Sequence, residues 1–346
     1  MRPLLLLTAL AAVGADPPPA PLIIKPDAFK TLVNPQCSHC RDEAKRRAGE
    51  LRDDDRVLCW TRGYSDGGAI PFRFFLSPYR VISDSYGVFV YDADAGYARG
   101  YAPSYKFRFH GWRNGVMVMK HSDGTLYSCL TGLAFEGPKK GTQLNAIPTL
   151  VSNWGFWLGH YPQAVAYHMF DKYKPVELPT EVNEDSRTSR LPLDNRLAAD
   201  SAVLGVRSGK EARAYPARDV EKATLLEDRI DGKTCYVLWQ ARTGTAAAYL
   251  PEATAPRKYE GPRPNKDGEA PPDATPQGPK KPVMLKLDAN DSVAPFVDKE
   301  TGSHFDIAGR GVDGELKGWT LTWLDSVQVK WFAWAAEYPE TTIYNK

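Results

Sequence analysis

Gly132-Leu133-Ala134-Phe135-Glu136-Gly137-Pro138-Lys139-Lys140-Gly141-Thr142-Gln143-Leu144 returns, diverged, as the stretch from Gly309 to Leu321. At one constant shift, Gly132, Gly137, Lys140, Gly141 and Leu144 answer Gly309, Gly314, Lys317, Gly318 and Leu321. Further on, Trp154, Trp157, Tyr161, Pro162 and Tyr167 answer Trp331, Trp334, Tyr338, Pro339 and Tyr344 without a gap. Self-similarity at a fixed spacing is the mark of one unit used twice. Upstream, Val57-Leu58 answers Val203-Leu204, Pro71-x-Arg73 answers Pro216-x-Arg218, and Asp84 answers Asp228. Gly96-x-Ala98-x-x-Tyr101 then answers Gly244-x-Ala246-x-x-Tyr249. Small insertions separate these blocks, as surface loops tolerate. The copies span 51–174 and 201–346.

Within a copy the pattern is strand-rich. Val88-Phe89-Val90-Tyr91 and Cys235-Tyr236-Val237-Leu238-Trp239 are short β-branched and aromatic runs. Phe107-Arg108-Phe109-His110 alternates, Asn114-Gly115 supplies a hairpin turn, and Val116 to Met119 returns. Each copy closes with a short helix. Ser152 is the expected cap, Trp154, Trp157, Leu158 and Tyr161 share one face, and Pro162 stops it. The corresponding face is Trp331, Trp334, Ala335 and Tyr338, and its recurrence points to core packing. The fold class is therefore α+β, predominantly β: two tandem copies of a strand-rich unit, each ending in a short Trp-containing helix.

Outside the copies, Met1-Arg2-Pro3, an apolar run from Leu4 to Val13 and the small residues Gly14 and Ala15 have the layout of a secretory signal peptide, cut after Ala15. The run is too short to span a bilayer, so no transmembrane segment is expected in the mature chain. The protein is expected outside the cytoplasm, periplasmic or secreted. Residues 16–50 form an N-terminal segment. Two stretches are expected to lie unpacked: the linker 175–200, and 251–282, an insertion into copy two with nine prolines. A net charge of +2, with both signs interspersed, gives no electrostatic footprint for nucleic acid. Five cysteines, an odd and small number, exclude a disulfide-stapled scaffold.

Asp123-Gly124-Thr125-Leu126-Tyr127-Ser128, then Gly132-x-Ala134-Phe135-x-Gly137-Pro138-x-x-Gly141-Thr142-x-Leu144, Trp154-x-x-Trp157 and His160-x-Pro162 follow in a fixed order. Val203-Leu204-Gly205-Val206, Glu211 to Pro216 and Asp298-x-Glu300-Thr301-Gly302-Ser303 extend the pattern. This order resembles the bacterial family catalogued as domain of unknown function 3179, and its flavour is that of a planctomycete-type member. The resemblance implies no known reaction. It does imply a histidine and a Cys-x-x-Cys in each unit, a set suited to a soft metal or to dithiol–disulfide cycling. Both copies depart from it. Tyr79 stands for the histidine in copy one, with Asp92 and Ala95 for the cysteines. In copy two the replacements are Ala223, Gln240 and Thr243.

One Cys-x-x-Cys survives elsewhere, as Cys37-Ser38-His39-Cys40, ahead of a helix-like stretch from Asp42 to Leu51. Cysteines at a helix N-terminus feel its dipole, which favours the thiolate. Cys37, Cys40 and His39 are the candidate ligands for Cu or Zn, or the cysteines a redox pair, or an inert disulfide. Asp92-x-Asp94-x-Gly96 hints at a calcium loop but lacks the later ligands, so a solvated turn is expected. The six histidines are dispersed, and Cys59, Cys129 and Cys235 read as buried small residues. No motif names a substrate, a partner or a reaction. Three readings remain: a thiol-dependent metal-binding or redox accessory protein, a non-catalytic binding or structural module, and an enzyme with an acidic site at Asp92 and Asp94.

Overall fold

Asn114 and Gly115 both adopt positive φ, 60° and 75°. This is the turn that a two-residue hairpin of right-twisted strands demands. It joins Phe107–Arg113 to Val116–His121 as the sequence predicts. The computed structural model describes residues 21–34, 51–62, 66–72, 79–166, 183–192, 194–256 and 278–345. The leader, Cys37, His39, Cys40 and His168 lie outside them. Among the described residues the chain is α+β and predominantly β, with four short helices.

Two sets of strand pairings follow the same order. Arg56–Arg62 pairs antiparallel with Asp66–Pro71 and with Leu150–Asn153, and Leu150 stands opposite Cys59. Ala202–Ser208 pairs antiparallel with Glu211–Pro216 and with Thr320–Lys330, and Val327 stands opposite Gly205. Tyr79–Ser83, Val88–Asp92 and Tyr97–Tyr101 form a meander. So do Leu225–Ile230, Lys233–Gln240 and Thr245–Thr254. The helices Trp154–His160 and Trp331–Glu337 follow directly on the strands Leu150–Asn153 and Thr320–Lys330. Beyond each, a two-residue strand adds in parallel, Val165–Ala166 to Asp66–Pro71 and Thr342–Ile343 to Glu211–Pro216.

The closing helices sit against the opposite half. One core cluster joins Val81, Tyr97, Trp112 and Met119 to Trp331, Phe332 and Trp334. Another joins Trp154, Trp157 and Tyr161 to Tyr236, Tyr249, Phe296 and Leu321. Trp154 and Trp331 are both fully buried, so the aromatic stripe is core, as expected. Each indole removes roughly 200 Å² from water, so these helices help clasp the halves together.

Three local expectations are corrected. Ser152 does not cap the first helix. The preceding strand runs straight into it, Ser152 stays in the ladder opposite Val57, and Asn153 is the cap residue, without a side-chain bond. The linker is anchored at two buried serines, Ser186 and Ser189, where Asn183 caps the helix Glu184–Thr188. Ser186 Oγ donates to the Gly115 carbonyl at 3.0 Å, and Ser189 Oγ accepts from the Gly115 amide at 3.1 Å. The hydroxyls that suggested a solvated segment are instead bonds to the hairpin. Of the insertion, the two ends pair, with Glu252 opposite Pro282 and Thr254 opposite Lys280. Residues 257–277 lie outside the described set.

Candidate functional site

Strand register brings the places of the implied histidine and cysteines together in each half. Val81 faces Val90, so Tyr79, two residues earlier, reaches the level of Asp92. Leu225 faces Leu238, which brings Ala223 to the level of Gln240. The resemblance thus points to one locus per half, at the mouth of the meander.

In the first half this locus is held by a buried carboxylate. Asp92 Oδ1 accepts from the amides of Asp94 at 3.1 Å and Ala95 at 3.0 Å, and Oδ2 accepts from the Met117 amide at 2.9 Å. Burial, with the neighbouring Asp94 charge, pushes the Asp92 carboxyl up to about 6, against the pull of these amides and of Arg80. Asp94 Oδ1 in turn accepts from the Asn183 amide at 2.9 Å. The expected solvated turn is therefore a buried cap, because Met117 on the next hairpin and the helix after Asn183 close over it. Both carboxylates serve backbone amides rather than open solvent.

In the second half the same place is filled by neutral groups. Gln240 is buried; its Oε1 accepts from the Arg242 amide at 3.2 Å, and its Nε2 donates to the Ser292 carbonyl at 3.2 Å. Thr243 Oγ1 lies 2.7 Å from Thr245 Oγ1, and the Thr243 carbonyl accepts from Arg56 Nη1 at 2.5 Å. Ala223 ends the helix Ala217–Ala223, beside a depression of about 420 Å³ that Asp219, Lys222 and Tyr344 help line. Thr224, at φ 62°, turns the chain into the next strand.

The remaining thiols are closed off. Cys59, Cys129 and Cys235 are free and fully buried, as the sequence predicts. Burial pushes Cys59 and Cys129 well up, and Cys235 to about 11. Under reducing, native conditions all three should resist alkylation and react only when the chain unfolds. Iodoacetamide labelling followed by peptide mass spectrometry checks this, and rapid native labelling of Cys129 would contradict it. Among the described residues no three His, Cys, Asp or Glu side chains form a metal-holding group. His121 Nδ1 pairs with Asp123 at 2.9 Å, His160 Nδ1 with the Phe156 carbonyl at 2.8 Å, and His304 Nδ1 with Asp291 at 3.2 Å. Each has its own local partner.

A buried ion cluster escaped the sequence reading. Arg99 is 3% exposed; its Nη1 donates to the Leu130 carbonyl at 2.9 Å, and its Nη2 pairs with Asp325. Arg207 Nε lies 3.2 Å from the other Asp325 oxygen. Beside them burial pushes the Tyr338 phenol up to about 12. The only hint was a charge in the middle of each apolar strand.

No described helix is long and apolar enough to cross a membrane. No curated protein and no solved structure matches the chain. One family model does, described as protein of unknown function (DUF3179), over residues 106–341. The match includes Ala223, Gln240 and Thr243 and leaves Tyr79, Asp92 and Ala95 outside it. Since it spans well over half of the sequence, the protein is a member of the DUF3179 family.

Proposed function

We propose that this chain is an exported, non-catalytic binding or structural module, built from two diverged copies of one unit of planctomycete type. The single observation that carries the reading is the hydrogen bonding at the two family loci. Asp92 spends its oxygens on three backbone amides, and Gln240 bonds through both ends of its amide. Such groups are buried, stabilise a turn and present no thiolate to a soft metal. The two-copy reading is supported by the shared order of pairings and by the paired tryptophans. The leader supports export, with a mature chain beginning near Asp16.

A second reading places thiol-dependent metal binding or redox exchange at Cys37 and Cys40, with His39 as a further ligand and Cu or Zn as the metal. It is favoured by the burial of the other three cysteines, which leaves thiol chemistry to this pair. Metal analysis of untagged protein, with thiol titration against pH, separates the two. The module reading expects no stoichiometric metal and a Cys37 pKa near the ordinary value of about 8.5. Bound Cu or Zn that disappears in the Cys37→Ser, Cys40→Ser double variant would overturn it in favour of the second.

A further inference from the structure

Asn290 alone among the asparagines has a serine or threonine two places on, within Asp288-Ala289-Asn290-Asp291-Ser292. Asn-x-Ser/Thr, with any residue but proline between, is the acceptor sequence for N-linked glycan. Bacterial transferases of this class also read an acid two places before the asparagine, and Asp288 supplies it.

The structure puts this stretch at the tip of a hairpin. Leu285–Leu287 pairs antiparallel with Phe296–Asp298, Leu287 faces Phe296, and residues 288–295 join them. At the constant shift of the sequence, Met119 and His121 answer Phe296 and Asp298. The hairpin of the first half turns through Asn114 and Gly115, and Asn114 is buried. The second half carries a longer loop there, with Asn290 and Ser292 both exposed. The loop is held by its neighbours. The Asp288 amide donates to the Pro295 carbonyl at 2.8 Å, and Asp288 Oδ1 accepts from the Asn290 amide at 3.0 Å. Asp291 Oδ1 accepts from the Val293 and Ala294 amides at 2.8 and 2.9 Å, and the Ser292 carbonyl accepts from Gln240 Nε2 at 3.2 Å. The side chains of Asn290 and Ser292 take no part in these bonds. Both stand in solvent, open to a second protein.

We propose that Asn290 is an N-glycosylation site. The donor is an oligosaccharide carried on a polyprenyl diphosphate, and the partner is an extracytoplasmic oligosaccharyltransferase. Asn290 Nδ2 attacks C1 of the first sugar, and the C1–O bond to the diphosphate breaks as the N–C1 bond forms. Polyprenyl diphosphate leaves with the electron pair, and the amide proton passes to a carboxylate of the transferase. Ser292 Oγ hydrogen-bonds the enzyme, and Asp288 meets a cation there. The bulky, solvated product suits a surface loop. The proposal rests on the export part of the module reading, because donor and enzyme act outside the cytoplasm.

The test uses the full chain, leader included, in a bacterium that makes a polyprenyl-linked oligosaccharide, with and without its oligosaccharyltransferase. Trypsin cuts after Lys286 and Lys299, so the peptide 287–299 carries Asn290 and no other asparagine. That peptide should gain the mass of the glycan only where the transferase is present. Asn290→Gln and Ser292→Ala should abolish the gain. Asp288→Asn keeps the oxygen that serves the Asn290 amide and removes the charge. It should lower glycan occupancy about tenfold or more, as loss of one charge-assisted hydrogen bond gives. Circular dichroism of Asn290→Gln should match the wild type, since the side chain is exposed. The same spectra read the mature N-terminus. A bare 287–299 peptide on a chain that begins near Asp16 overturns the proposal and leaves export standing. A bare peptide on a chain that keeps Met1 overturns both. Glycan retained in Ser292→Ala, or found on another residue instead, also refutes the site.

Discussion

Trp331→Ala should lower stability by about 3–5 kcal/mol, the usual cost of emptying a buried indole site. The loss should register in both halves of the chain at once. Trp331 belongs to the cluster that contains Val81, Tyr97, Met119 and Cys129, all from the first half. Its Nε1 also donates to the Asp194 carbonyl at 3.1 Å, and Arg196 lies over its ring, so the ordered linker is tied to the same anchor. Trp154 stands in the reciprocal position, packed with Tyr236, Tyr249 and Phe296 of the second half. Two bodies that lend each other their closing helices have no independent way to unfold. Urea denaturation followed by thiol accessibility at Cys129 and Cys235 should therefore give coincident midpoints in the wild type. Both midpoints should fall together in Trp331→Ala. A shift at Cys235 with Cys129 unmoved would show that the halves fold separately.

The features legible in the sequence are those set by neighbours in the chain. The Asn114-Gly115 turn needs only its own backbone, and the closing helices announce themselves through aromatic spacing. Cys59, Cys129 and Cys235 sit in apolar runs that could only be buried. The features that escaped are set by residues far apart. Arg99 and Asp325 meet across much of the chain, and each alone looks like a stray charge on a strand. Asp92-x-Asp94-x-Gly96 reads alike for a hydrated turn, a calcium loop or a buried cap. Met117, on another hairpin, decides among them. Ser186 and Ser189 look like linker composition until Gly115 is placed against them. The spacing of the repeat delimits the copies, yet it cannot say which copy's strands a helix will cover.

Asp92→Ala should cost at least about 3 kcal/mol, because the amides of Asp94, Ala95 and Met117 lose this acceptor and each unsatisfied buried group costs about 1–3 kcal/mol. Asp92→Asn keeps one oxygen for the first two amides and turns its NH₂ toward the third, so its cost at neutral pH should be smaller. The two variants also carry a pH signature. The folded Asp92 carboxyl is raised to about 6 from an ordinary 3.8, so between those values the folded state holds a proton that the unfolded state releases. Its contribution is therefore full below pH 4 and is lost as the pH rises through 6, on the order of 3 kcal/mol for a shift of about two units. Carboxylates held low slope the opposite way, among them Asp194 through its bond to Arg196. The informative quantity is thus the difference between wild type and Asp92→Asn across pH 4 to 7. The wild type should lose stability relative to the variant as the pH rises. A difference that stays flat over this window would mean that Asp92 is ionised throughout, and that the three amides outweigh burial.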